Sequence, residues 1–274
     1  METVFECVIN ISEGRDLALL DVFSGSAGAS LRDRHADPYH HRSVFTLIND
    51  PDQLIADVHS LIRRAFELLD LSSHQGVHPR FGVVDVVPFV ALEPGGQARA
   101  EVLRDDTARW ISANFAVPTF LYGPLANGTF RSLPDVRRGA FRGVAPDFGP
   151  AEPSATKGAV AVGTRPVLVA WNLWLSDTTL ERAREIARTL RGPCVRSLAF
   201  AVGDQVQVSC NLIDVSTVRP SMVYDQVLAS LSAEERISRA EVVGLVPASL
   251  LGYEDPSRFE QLGLDPGATI EART

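Results

Sequence analysis

Val195-Arg196-Ser197-Leu198-Ala199-Phe200-Ala201-Val202-Gly203-Asp204-Gln205-Val206-Gln207-Val208-Ser209-Cys210-Asn211-Leu212-Ile213 is the stretch on which the fold turns. Residues 195–202 and 205–213 read as strands, and the Gly203-Asp204 step between them predicts a tight hairpin. Upstream, Asp177 is the expected cap of a helix with Leu180, Ala183, Ile186, Ala187 and Leu190 on one face. Gly192-Pro193 ends that helix, and residues 166–175 before it read as a strand. Downstream, a helix is expected over 220–231 and a last strand over 239–246. The order is βαββαβ, the ferredoxin-like signature.

The first half alternates in a related way. Residues 3–11 read as a strand, 16–25 as a helix and 43–48 as a second strand, β-branched and aromatic. Asp50 caps the next helix, Pro51 suits its first turn, and Leu54, Val58, Leu61, Ile62, Ala65, Leu68 and Leu69 follow helical spacing. A strand over 83–90, a helix over 98–114 and a strand over 118–122 come next. From Gly123 to Gly163 turn signals dominate: Asn127-Gly128, Leu133-Pro134, residues 145–150 and Glu152-Pro153. A loop of that length in a compact protein points to function. The expected fold class is α/β (α+β): two ferredoxin-like-type subdomains, residues 1–163 and 164–274, with helices on the outer sheet faces and a cleft between them.

Composition narrows the function. The chain has 274 residues, 45% hydrophobic and 22% charged, as expected of a globular protein with a real core. A net charge of −8 argues against nucleic-acid and anionic-membrane partners. Cys7, Cys194 and Cys210 are odd in number and show no paired spacing, so neither a disulfide framework nor a cysteine metal site is expected. The start lacks a basic, apolar leader, and the cytoplasm is the expected location.

His78 is the leading candidate for chemistry. Pro79 pushes it out of helical geometry, Gly76 and Gly82 permit tight backbone on either side, and a strand follows. Histidine is the usual acid/base near neutrality. Arg42, Arg80 and Asp85 are candidates for an ionic network around it, although a single Asp–Arg pair is equally compatible with a structural role. All six histidines fall between positions 35 and 78, which raises a metal site. Gly76 and Pro79 keep His74 and His78 from sharing a helix face, His59 reads as a solvated residue, and no metal is expected. Phosphate-cradling glycine motifs and a G-x-S-x-G nucleophile are absent from the sequence.

Several blocks resemble the formiminotransferase family. They are Asn10-Ile11-Ser12-Glu13-Gly14, His41-Arg42-Ser43-Val44, Val77-His78-Pro79-Arg80-Phe81-Gly82, Asp85-Val86-Val87-Pro88-Phe89, Leu121-Tyr122-Gly123, Asp147-Phe148-Gly149-Pro150 and Gln207-Val208-Ser209-Cys210-Asn211-Leu212, in family order over nearly the whole chain. The resemblance implies transfer of a formimino group from N-formimino-L-glutamate to N5 of tetrahydrofolate, as co-substrate. It makes His78 the catalytic histidine and implies that Asn10, Asp37, Arg42 and Arg80 bind the donor. It implies that Gly149, Pro150, Ala151, Glu152, Pro153, Ser154, Ala155, Thr156, Lys157 and Gly158 contact folate.

Attack on the amidinium carbon gives a tetrahedral intermediate, and one histidine can take the amine proton and return it to the departing nitrogen. Carboxylates on both substrates call for arginine. The length leaves no room for the cyclodeaminase domain of bifunctional members, so a monofunctional enzyme is expected. Two departures bear on the pockets: His35 stands where those members have an acid, and Ala155-Thr156-Lys157-Gly158-Ala159 replaces Pro-x-x-Gly-Ala. Ala155 is expected to leave the folate loop more mobile. A homodimer, another amine acceptor and a non-catalytic folate-binding module stay open.

Overall fold

The computed structural model describes residues 4–76 and 80–274. The chain divides into two compact units, one up to Pro166 and one from Val167. In the first, β1 (Phe5–Ile11), α1 (Leu17–Ser26), β2 (Leu31–Asp37), β3 (Arg42–Asn49), α2 (Pro51–Leu68) and β4 (Val84–Ala91) follow the βαββαβ order. Their sheet order is β2-β3-β1-β4, with every neighbouring pair antiparallel, so the ferredoxin-like unit is present here too. The sheet then continues beyond β4. Following α3 (Gln97–Phe115), β5 (Thr119–Pro124), the two-residue β6 (Phe130–Arg131), α4 (Leu133–Gly139) and β7 (Val160–Thr164) extend it to seven strands. β7 lies between β4 and β5, parallel to both.

Local chemistry accounts for these elements. Asp16 and Asp50 cap α1 and α2, each carboxylate accepting two backbone N–H groups. Phe5, Cys7, Ile9 and Ile11 on β1 are buried with Phe45, Leu47, Leu54, Val58, Leu61 and Ile62 in one core. Leu68, expected on the α2 stripe, is 39% exposed, and Phe66 takes the buried place.

The second unit follows the sequence reading closely: β8 (Val169–Ser176), α5 (Leu180–Leu190), β9 (Val195–Val202), β10 (Gln205–Leu212), α6 (Pro220–Ser230) and β11 (Arg236–Val243). The sheet order is β11-β8-β10-β9, antiparallel throughout. Gly203, at φ +63°, makes the two-residue turn that pairs Val202 with Gln205. Trp171 is fully buried, and its Nε1 donates to the Leu262 carbonyl at 2.8 Å, fastening the C-terminal segment to this core.

Several expectations need correction. Thr179, not Asp177, caps α5: its side chain accepts from the Arg182 N–H, while Asp177 turns at φ 58° and pairs with Arg236. The last strand is Arg236–Val243 and so runs three residues earlier than expected; Gly244 ends it at φ +85°, and Leu245 and Val246 are buried beyond it. The stretch 123–163 is not a plain loop, since it holds β6, α4 and β7. Within it Gly163 lies on β7, where a Cβ would meet the Tyr122 ring at 2.2 Å, so the glycine leaves room for an aromatic side chain.

His59 is not a solvated residue. Its ring stacks on Trp110 at 3.7 Å and 2°, and burial, with the Arg63 charge, pushes its pKa down to about 4. Below about pH 6.5 the unfolded chain binds a proton that the folded imidazole refuses until about pH 4. Stability from this group therefore falls as pH drops across that window. Thermal unfolding of wild type and His59→Phe should diverge accordingly, with the variant, which keeps an aromatic ring for Trp110, showing the shallower fall between pH 6.5 and 4. Parallel curves would overturn this.

Candidate active site

In the antiparallel β3-β1-β4 arrangement, the end of β1 meets the starts of β3 and β4. Asn10, Arg42 and Asp85 therefore converge at one sheet end. Arg42 Nη2 donates to Asn10 Oδ1 at 2.6 Å and lies 3.5 Å from Asp85 Oδ2. Asp85 is only 1% exposed, and its carboxylate also accepts from the Phe81 N–H and from Arg137 Nη2, each at 2.6 Å. Burial alone would raise the Asp85 pKa, but the Arg137 and Arg42 charges outweigh it and hold the carboxyl below its ordinary range. Burial lowers Arg42 to about 10 against the opposing pull of Asp85.

The expected network thus has a different membership. Arg137 takes the place assigned to Arg80 as the closest cation to Asp85. Turn signals over this stretch mask α4, although Ser132-Leu133-Pro134-Asp135 carries its start: Ser132 and Asp135 form a reciprocal capping box. Arg80 instead donates through Nη2 to the His40 carbonyl at 2.8 Å, and its Nη1 lies against the His74 ring. Asp37 holds the β2–β3 turn, with Oδ1 accepting the Tyr39 and His40 N–H groups at 2.8 Å each. His35 lies on β2 opposite Val44.

A second cluster adjoins this one. Glu13, 7% exposed, accepts the N–H groups of Gly14, Arg15 and Asp16 at 2.8, 2.7 and 3.0 Å on one oxygen. Burial favours the neutral acid, yet those bonds and the His41 charge hold its pKa below the ordinary value. His41 Nε2 lies 3.1 Å from the same oxygen, and its ring packs on His74 at 3.9 Å. Burial and the Arg80 charge press His74 down to about 4. A cleft of about 250 Å³ opens beside them, lined by Ser12, Glu13, His41, Asp70, His74 and Val83 among others. A larger one, about 580 Å³, lies at the other end of β1 beside Phe5, Asp50 and Arg99, away from these motifs.

His78, with Val77 and Pro79, lies outside the described residues. At Gly76 a Cβ would meet the His40 carbonyl at 2.6 Å and His41 Cβ at 3.1 Å, so only glycine fits that approach. Gly82 bridges to Gly158.

That bridge brings the 149–158 segment to the same place. Ser154 and Gly158 exchange two backbone bonds, at 2.9 and 2.8 Å, around Ala155-Thr156-Lys157. The Thr156 and Lys157 carbonyls accept from Leu71 and Val83 at 2.7 and 3.0 Å. Gly149, Pro150, Ala151, Glu152 and Pro153 are exposed. Among the described residues, no group of three or more His, Cys, Asp or Glu side chains is placed to hold a metal ion, and no helix is long and apolar enough to cross a membrane.

The formiminotransferase domain, N-terminal subdomain, matches residues 4–165. The chain belongs to the formiminotransferase family. It is 30% identical over 273 residues to a glutamate formimidoyltransferase of Streptococcus pyogenes serotype M1, covering 92% of this chain and 91% of that protein. It is 30% identical over 295 residues to the glutamate formimidoyltransferase of Thermoplasma acidophilum, covering 99% and 97%. Against the formimidoyltransferase-cyclodeaminase of Sus scrofa the identity is again 30%, over 92% of this chain but 51% of that longer protein. This family member is thus an enzyme, a transferase of formimino groups.

Proposed function

We propose that this chain is a glutamate formimidoyltransferase that moves the formimino group of N-formimino-L-glutamate to N5 of tetrahydrofolate, a step in histidine degradation. We assign residues 1–163 and 164–274 as its N- and C-terminal formiminotransferase subdomains. The observation that carries the reading is the juxtaposition of Arg42, Asn10 and Asp85 with Arg80 and the 154–158 hairpin. Fixed guanidinium forks suit the donor's carboxylates, and Asn10 and Asp37 complete that pocket. Gly149 to Gly158 would hold the folate, a fit favoured by their exposed first half and by Lys157, the chain's one lysine. When bound, tetrahydrofolate supplies the N5 amine.

His78 takes the proton released as the new C–N bond forms and returns it to the glutamate nitrogen as the old C–N bond breaks. The balance is one proton accepted and one delivered. Incubation with N-formimino-L-glutamate and tetrahydrofolate, monitored for the formimino-folate and for free glutamate, tests the whole reading. Glutamate release only with another amine would move the acceptor away from folate, and no release with any amine would end the transferase assignment.

Lys157→Ala should raise the folate KM several-fold and leave the KM for N-formimino-L-glutamate nearly unchanged. The lysine charge already acts on a carboxylate nearby: Asp70 is held below its usual range first by its Ser72 hydrogen bonds and, more weakly, by Lys157. Equal effects on both substrates, or none, would remove Lys157 from the folate site.

A further inference from the structure

The Glu13–His41 pair has no part in the assignments above, yet it is among the most tightly built features of the first unit. His41 occupies a left-handed backbone position, φ 49°, at the turn into β3, one that histidine, like asparagine and aspartate, adopts more readily than other side-chain-bearing residues. Its two ring nitrogens reach in opposite directions. Nε2 lies 3.1 Å from Glu13 Oε1, and Nδ1 lies 2.9 Å from the Gln75 carbonyl oxygen. Both partners are acceptor oxygens, so each offers a place for a ring N–H of His41.

The contact is reciprocated. His74 Nε2 lies 3.1 Å from the His41 carbonyl, and the two rings pack against each other at a tilt of 30°. Glu13 cannot drift, because three successive backbone N–H groups grip the oxygen that holds His41. Segment 74–76 is thereby tied to the β1 exit through two side chains, and the next residue but one along the chain is His78.

We propose that His41, fastened by Glu13, is a positioning residue that fixes segment 74–76 and so the approach of the chain to His78; this rests on the reading of His78 as the acid/base. It acts on the rate of proton transfer and not on substrate affinity, because neither Glu13 nor His41 is assigned to a substrate group.

The test uses the full chain with His41→Ala, His41→Asn and Glu13→Gln, measuring kcat, KM for both substrates, and amide hydrogen exchange over residues 71–76. His41→Ala should lower kcat about 10–100-fold, the scale of an ångström-sized misplacement. Both KM values should stay within about two-fold, and exchange at 74–76 should quicken. Asparagine tolerates the left-handed backbone and keeps one N–H donor, so His41→Asn should recover part of the rate. Glu13→Gln keeps an acceptor oxygen without the charge and should fall between; it also carries the test should His41→Ala fail to fold.

Unchanged kcat, a rise in KM alone, or a lowered kcat with unaltered exchange at 74–76 would each overturn the proposal. Absence of formimino transfer in the wild type would instead strike at the assigned activity. The exchange measurement would still decide whether His41 orders the segment.

Discussion

His78→Ala is expected to lower kcat by about 10²–10⁴-fold, the usual consequence of losing a general acid/base, with little change in affinity for either substrate. The reasoning is chemical. A proton must leave the attacking amine and another must reach the departing glutamate nitrogen, and an imidazole with an ordinary pKa near 6.5 does both near neutrality. Those demands arise as bonds are made and broken, so they appear in kcat and not in ground-state binding. Two other imidazoles, His74 in the segment and His41 packed against it, compete for the role. His74, pressed down to about 4, is a poor base at neutral pH, and both nitrogens of His41 are engaged by Glu13 and Gln75. Replacing either should therefore not reproduce the full His78 effect. The check is single-turnover rate beside substrate Kd for the three variants. A His78→Ala enzyme with nearly normal turnover and collapsed affinity would make His78 a binding residue.

What the sequence revealed follows a physical division. The second unit was legible because its signals are local: a Gly-Asp turn, a Gly-Pro stop and short strands at regular spacing. In the first unit the ferredoxin-like class was legible, but one of its strands was not. Residues 31–37, Leu-Arg-Asp-Arg-His-Ala-Asp, form β2 at the sheet edge, where charged side chains are favoured and an apolar pattern is not required. β7 was obscured for another reason. Its parallel partners lie far away in sequence, and Gly163 reads as a break until the Tyr122 ring is seen above it.

The candidate site was legible by residue type but not by partnership. Arg42, Asp85 and Asn10 could be brought together once the strands were placed. Arg80's partner on His74 and the grip of Glu13 on His41 depend on how turns fold back on one another, which no spacing along the chain encodes. Arg137 differs, because its capping box was readable and would have disclosed the helix that carries it.

Removing the Asp85 carboxylate should have the largest effect on stability. At 1% exposure it is the buried counter-charge of Arg42 and Arg137 and the acceptor for the Phe81 N–H. Asp85→Ala strands two guanidinium groups and a backbone donor, at a cost of about 3–5 kcal/mol. Asp85→Asn keeps the shape and an acceptor oxygen but not the charge, and should cost less. The sign with pH follows from the depressed carboxyl. A group whose folded pKa lies below its unfolded value near 3.9 stabilises above that value, and the contribution disappears as pH falls through the folded pKa. Urea titrations should therefore show a full deficit for Asp85→Asn at pH 7 and 5, beginning to close below about pH 4, where the unfolded chain takes up the proton, and gone once the pH has fallen through the depressed folded pKa, where wild type also loses the charge. Arg42 would be left without its orienting partner, so the KM for N-formimino-L-glutamate should rise more than the folate KM. If Asp85→Asn matches wild type in stability at pH 7, the carboxylate is not the keystone of this sheet end. If its deficit persists unchanged as the pH falls through the folded pKa, the loss comes from packing and not from charge.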